Sequence, residues 1–232
     1  TGAVAPLTKQ LIAELNCIQS GSMVDFRKSN ISLGSTVNPF LAPGASSALH
    51  AAVDASGTSI SIISAYRSVA QQYLLYKWWK AGICGVPIAA SPGKSNHQSG
   101  RAIDIGSYSS WISRLQGKGW RWYGSGDPAH FDYLSAPDFG SRSVLAFQKL
   151  WNKNRASKLV EDGAWGPASE SAMAQSPAEG FATAGCAATP PPTPATGTLK
   201  GKVFAFNPSN PTDMSAVLSG ATCGRNTQRR IN

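Results

Sequence analysis

Ser95-Asn96-His97-Gln98-Ser99-Gly100-Arg101-Ala102-Ile103-Asp104 decides how this chain is read, and Asp127-Pro128-Ala129-His130 is its counterpart. Together they hold two of the three histidines in the chain, and two carboxylates. Neutral imidazole nitrogen and carboxylate oxygen are ordinary zinc ligands, and a catalytic zinc site takes three protein ligands and keeps a fourth position for water. His97, Asp104 and His130 make such a set for one ion, with Asp127 left over as a nearby acid or base. The pattern predicts a water-activating metallohydrolase.

The spacing inside each motif supports one shared site. Arg101 to Ile105 reads as a strand, in which alternate side chains share a face. Ala102 and Asp104 then look one way, while Ile103 and Ile105 look into a core. Ala102 is small, as a wall beside a metal should be, and Gly100 lets the backbone turn between the His97 loop and the strand. His130-Phe131-Asp132-Tyr133 reads as a second strand, with His130 and Asp132 on one face and two aromatics on the other. Pro128 stands at its entrance, where no ladder bond is lost.

Ser-x-His-x-x-Gly-x-Ala-x-Asp, as it stands from Ser95 to Asp104, resembles the first zinc motif of the zinc D-Ala-D-Ala carboxypeptidase family. That VanY-like family includes the vancomycin-resistance D,D-dipeptidases and D,D-carboxypeptidases, and phage L-alanyl-D-glutamate endopeptidases. Its second motif is Glu-x-x-His, or Asp-x-x-His in some endopeptidase members, and here it reads Asp127-x-x-His130. A third element, an arginine just after a strand, is matched by Ser64-Ala65-Tyr66-Arg67-Ser68. The resemblance spans residues 40 to 135.

What the resemblance implies is a zinc peptidase acting on the stem peptide of bacterial cell-wall peptidoglycan, most simply as a D-Ala-D-Ala carboxypeptidase. The shorter Asp127 keeps an L-alanyl-D-glutamate or cross-bridge endopeptidase open, and a non-catalytic zinc or wall-binding module is a further alternative. In the enzyme reading, His97, Asp104 and His130 hold one zinc ion, which lowers the pKa of water. Asp127 is the general base and then the general acid. Arg67 stands beside the developing oxyanion, and Ser95 and Tyr66 touch substrate. A purely structural zinc site needs neither Asp127 nor Arg67. A metal-independent glycosidase built on Asp104 and Asp127 would leave both histidines without a role.

Other conspicuous residues read more plainly. His50 lies in a helix-like run with no carboxylate close in sequence and is expected on the surface or in the core. Asp132 shares the face of His130, either as an orienting partner of that imidazole or as a solvated strand-end carboxylate. Trp78 and Trp79 are expected to pack a helix.

Composition narrows the class. The formal net charge is +9 with only 14% charged residues, and the basic residues are scattered. Nucleic-acid binding needs a basic patch on a recognisable fold, which is not visible. A diffuse positive charge suits an anionic polymer such as a bacterial wall. Cys17, Cys84, Cys186 and Cys223 form no CxxC pair, which argues against a cysteine metal site. Spacing does not fix their pairing; Cys17–Cys84, within the first domain, is the pairing expected here. No apolar run is long enough to span a membrane, and Thr1 to Pro6 reads as a processed N-terminus. The expectation is a secreted or periplasmic, wall-associated monomer.

Along the chain the pattern is α+β, a small antiparallel sheet with flanking helices. Helices are predicted over 7–18, 44–55, 69–81 and 108–117, a strand over Ser59–Ser64, and loops over 21–43 and 82–96. The first 138 residues make the peptidase domain. Residues 139–180 carry a Phe147-Gln148 helix, then Asp162-Gly163-Ala164-Trp165-Gly166-Pro167, then a second helix; from 139 to 178 this resembles the small peptidoglycan-binding domain of wall hydrolases. Its plainer alternative is a two-helix extension packed on the first domain. A Pro-rich linker is expected over 181–198, and an incomplete β-like tail over 199–232, with strands at Leu199–Phe206 and from Ala216 to Thr222.

Overall fold

The computed structural model describes residues 2–186 and 213–219. Helix α1, Ala5–Ile18, starts on Pro6, whose fixed φ and missing N–H suit a first helical turn. Three short strands follow where a loop was expected: β1 (Val24–Asp25), β2 (Ile31–Leu33) and β3 (Phe40–Leu41). At two or three residues each they are too brief to show an alternating pattern. Helix α2 is Pro43–Ser56, and β4 is Ile60–Ser64.

Helix α3, Val69–Ala81, has its predicted bounds for a local reason. Ser68 and Gln71 form a capping box, and Gly82 takes the left-handed conformation that ends the helix. The long 82–95 connection leads to a 3-10 turn, Asn96–Ser99, and then to β5, Ala102–Ile105. A short helix α4 (Ile112–Gln116), β6 (Arg121–Trp122) and β7 (His130–Asp132) complete the sheet region. Helices α5 (Gly140–Asn154), α6 (Pro167–Ala174) and α7 (Met214–Ser219) follow. Residues 216–219 are therefore helical, not the strand expected there. Met214 is buried against the α3 and α6 helices, and a compact turn reaches that contact where an extended segment would not. The expected Leu199–Phe206 strand and the proline run lie outside the described residues.

The main sheet has the order β2-β4-β5-β7-β6; β2 and β4 run parallel and every other neighbouring pair antiparallel. A separate two-stranded ribbon pairs β1 with β3. One apolar cluster lies between the sheet and α2, around Phe26, Leu49, Ile62, Ile103 and Phe131.

A second cluster joins α1 and α3 to α5 and α6. Leu7, Leu11, Tyr73 and Leu74 pack with Val144, Phe147, Leu150 and Met173. Each such fully buried side chain contributes about 1.5–3 kcal/mol of burial. The packing runs on to Phe181, whose ring meets Trp151 edge-on at 6.2 Å. Among the described residues a disulfide pairs Cys17 with Cys186, not Cys17 with Cys84. The α1–α5 packing brings the 181–186 segment back over the end of α1, 169 residues away in sequence, and sets the two Cα atoms 5.1 Å apart.

Candidate metal centre and active site

The sheet register lines the site up. Asp104 on β5 faces Ser64 on β4 on one side and His130 on β7 on the other. Residues directly opposite each other project to the same face, so Asp104 and His130 stand side by side. The β4–β5 pairing is irregular between Ile62 and Ser64, next to this row, where a local twist re-aims side chains.

His97 comes from the 3-10 turn, which closes on Gly100 at φ +63°. A Cβ there would lie 2.6 Å from Met23 Sδ and 2.7 Å from Ala42 N, so only glycine fits. The Gly100 carbonyl accepts the Ala42 N–H at 2.8 Å, which ties the turn to the start of α2.

Three donor atoms converge. His97 Nε2 lies 3.2 Å from His130 Nδ1 and 3.2 Å from Asp104 Oδ1, and His130 Nδ1 lies 2.9 Å from that same oxygen. Zinc–nitrogen and zinc–oxygen bonds of about 2.0–2.1 Å in a tetrahedron would set neighbouring ligand atoms about 3.3 Å apart. The triangle matches one face of such a tetrahedron. The far side of each imidazole is also engaged: His97 Nδ1–H donates to the Ala65 carbonyl at 2.7 Å, and His130 Nε2–H donates to Asp132 Oδ1 at 2.9 Å. Both bonds leave the inward nitrogen as the lone-pair donor, as metal-binding histidines require. His97, Asp104 and His130 can hold one metal ion.

The electrostatics are those of a partly dry pocket. Burial and the neighbouring Arg67 cation push His97 below the usual imidazole range, keeping it neutral. Burial opposes a charge on Asp104, yet His97, Arg67 and His130 outweigh it and hold this carboxyl well below its ordinary value. Burial likewise opposes charge on His130, but hydrogen bonds to Asp104 and Asp132 raise it to about 9, so a metal ion binding at Nδ1 would displace a proton from that nitrogen.

Arg67 lies at the predicted place, just past β4. Its Nη2 donates to Asp104 Oδ2 at 2.7 Å and its Nε to Ser64 Oγ at 3.1 Å. Its backbone N–H donates to the His97 carbonyl at 3.2 Å. Asp127 sits in the turn before β7, outside the three-donor group. Burial and the Asp104 charge push its carboxyl above the usual range, the direction that suits a proton carrier near neutral pH. Ser95 is buried at the head of the His97 turn. Tyr66 is 2% exposed and packs in the core, and burial raises its hydroxyl far above normal. His50 is a satisfied histidine, its Nε2 2.8 Å from the Phe26 carbonyl.

The structure adds residues that carry no signal in the sequence alone. Asn96 Nδ2 donates to Asp132 Oδ1 at 2.8 Å, and Arg121 Nη2 to Asp132 Oδ2 at 3.3 Å, so the carboxylate behind His130 is held from two sides. Tyr123 stands edge-on to the His130 ring at 5.6 Å and is 57% exposed. Asn96 and Arg121 lie 36 and 11 residues from Asp132; the 3-10 turn brings Asn96 to it and the β6–β7 pairing brings Arg121.

Among the described residues, no helix is long and apolar enough to cross a membrane. No curated protein matches the chain. Residues 41–122 match the VanY family, whose description is D-alanyl-D-alanine carboxypeptidase. The match contains Arg67, His97 and Asp104 and stops before Asp127 and His130; the sheet register brings His130 beside Asp104. Over residues 41–122 the chain is thus similar to VanY, a carboxypeptidase-type hydrolase family that acts on peptidoglycan.

Proposed function

We propose that the chain is a zinc-dependent peptidase that hydrolyses wall stem peptides, removing a terminal D-alanine from D-Ala-D-Ala. The observation that carries this reading is the triangle of His97 Nε2, Asp104 Oδ1 and His130 Nδ1, with edges of 2.9–3.2 Å, of which His97 and Asp104 lie within the residues that match the VanY family. His97, Asp104 and His130 would hold the zinc ion, which would supply Lewis acidity to the scissile carbonyl and acidify water.

The chain's own residues do the rest. Asp127 takes a proton from the attacking water at its carboxylate and returns it to the leaving amine, and its raised pKa strengthens it as the base in the first transfer. Arg67 fixes Asp104 with Nη2 and offers its remaining guanidinium N–H groups to the substrate carbonyl oxygen as charge develops there. Asp132 holds the tautomer of His130. Tyr123, exposed beside the His130 ring, contacts the peptide.

A second reading, a stem-peptide or cross-bridge endopeptidase, is favoured by one residue. Asp127 stands where carboxypeptidase relatives carry glutamate, and its arm is shorter by one methylene. A disulfide between α1 and residue 186 suits an oxidising compartment. This supports placing the enzyme outside the cytoplasm, at the wall. Mass spectrometry of wall fragments after digestion separates the two readings. Loss of one D-alanine from a pentapeptide stem supports the first, and scission inside the stem or bridge replaces it with the second.

A further inference from the structure

The turn that carries His97 is held from behind by the start of α5, in the half of the chain that reads as an accessory unit. Gln98 is fully buried; its Nε2 donates to Ser143 Oγ at 2.9 Å and its Oε1 accepts the Gly93 N–H at 2.9 Å. Ser99, equally buried, donates from Oγ to Asp138 Oδ1 at 2.6 Å and accepts the Phe139 N–H at 3.0 Å. Asp138 also accepts from Arg101 Nη2 at 2.7 Å and from the Gly140 N–H at 2.9 Å. So the two side chains after His97, and the arginine after Gly100, all reach residues 138–143.

The contact is close as well as polar. A Cβ on Gly140 would collide with the Gly93 carbonyl oxygen, so the first turn of α5 lies directly on the loop that leads to His97. Behind this contact α5 is locked to α1 and α3 by Val144, Phe147 and Leu150. A turn of four residues has little stiffness of its own, and the position of a metal ligand depends on the shell that supports it.

We propose that Asp138 and the start of α5, through Ser143, are the positioning device for His97 and make residues 138–154 a support of the metal site. This rests on the reading of His97 as a metal ligand. Ser143 and Asp138 act through Gln98 and Ser99; they are positioning residues and do no chemistry.

The test uses the full chain with Ser143→Ala, Asp138→Asn and the pair combined. Lys149→Ala, on the outer face of the same helix, is the control, and Ser143→Thr is the rescue. Hydrogen exchange of residues 96–100 is followed in metal-free protein, and zinc affinity by competition with a chromophoric chelator. Each single variant should speed exchange of the 96–100 amides roughly tenfold, the size expected for one lost buried hydrogen bond. Zinc affinity should fall on the order of 10–100-fold. Lys149→Ala should change neither, and Ser143→Thr should restore both. If the double variant does not fold, the two single variants decide. Wild-type exchange and wild-type zinc affinity in Ser143→Ala and Asp138→Asn would overturn the proposal. If the wild-type chain takes no zinc at all, the metal reading falls, and exchange alone still decides whether α5 holds the turn.

Discussion

Asp132 receives the Nε2–H of His130 at 2.9 Å from a position that is almost wholly buried. The bond turns the other nitrogen of the ring towards Asp104 and His97, so the carboxylate sets which atom the site can use. Asp132→Ala should therefore weaken zinc binding on the order of 10–100-fold, the usual cost of losing such a partner. Chelator competition measures it. An unchanged affinity would mean that the β7 backbone alone orients the ring.

Asp127 should be separable from the metal-holding residues. Its carboxyl lies outside the three-donor group, and burial and the charge of Asp104 raise it. Asp127→Asn is expected to keep zinc and fold while losing on the order of 10²–10⁴-fold in kcat. Asp127→Glu should retain measurable turnover, because it keeps the proton carrier on a longer arm. Steady-state kinetics on a D-Ala-D-Ala peptide, with metal content checked in each preparation, decides it. Full turnover in Asp127→Asn would move proton transfer to another group.

Stability at low pH should depend on Asp138. Burial opposes its ionisation, but the Ser99 hydroxyl, the Gly140 N–H and Arg101 together hold its carboxyl below the ordinary value of 3.8. A depressed folded-state pKa stabilises the protein above the unfolded-state value, and the contribution is lost as pH falls through the lower folded-state value. Unfolding midpoints should thus drop below about pH 4 more steeply in the wild type than in Asp138→Asn. Urea titrations at a series of pH values test this; parallel curves for the two proteins would contradict it.

Much of this architecture was legible before any coordinates. The bounds of α3 follow from Ser68, Gln71 and Gly82, each of which acts within its own few residues. Strand parity turns Asp104 and His130 away from the core that Ile103, Ile105 and Phe131 enter, and the β5–β7 register then sets the two side by side. What stayed hidden depends on partners far away in sequence. β1, β2 and β3 are stabilised by neighbours, not by their own pattern. The apolar face of α5 looks the same whether it covers its own small unit or, as here, α1 and α3. Cysteine spacing carries no pairing information, so the Cys17–Cys186 bridge needed the packing of α1 on α5. Gln98 and Ser99 occupy the variable positions of the first motif, and only the fold shows that they hold it in place.

Because the second apolar cluster spans both halves, damage to α5 should reach the whole protein. Phe147 is fully buried among Leu7, Leu11 and Tyr73. Phe147→Ala is expected to cost about 3–5 kcal/mol of unfolding free energy, in a single transition reported alike by the tryptophans near the sheet and those near α5. Two separate transitions, with only the later one displaced, would show that residues 139–186 fold as an independent unit.

The central claim is that His97, Asp104 and His130 hold one zinc ion that hydrolysis requires. The most direct measurement is zinc stoichiometry by atomic emission on the wild type and His97→Ala, paired with release of D-alanine from a pentapeptide stem by the same samples. The expected result is one zinc per wild-type chain with turnover, and in His97→Ala neither bound zinc nor turnover at unchanged fold. A His97→Ala protein that keeps one zinc per chain and still releases D-alanine would contradict it.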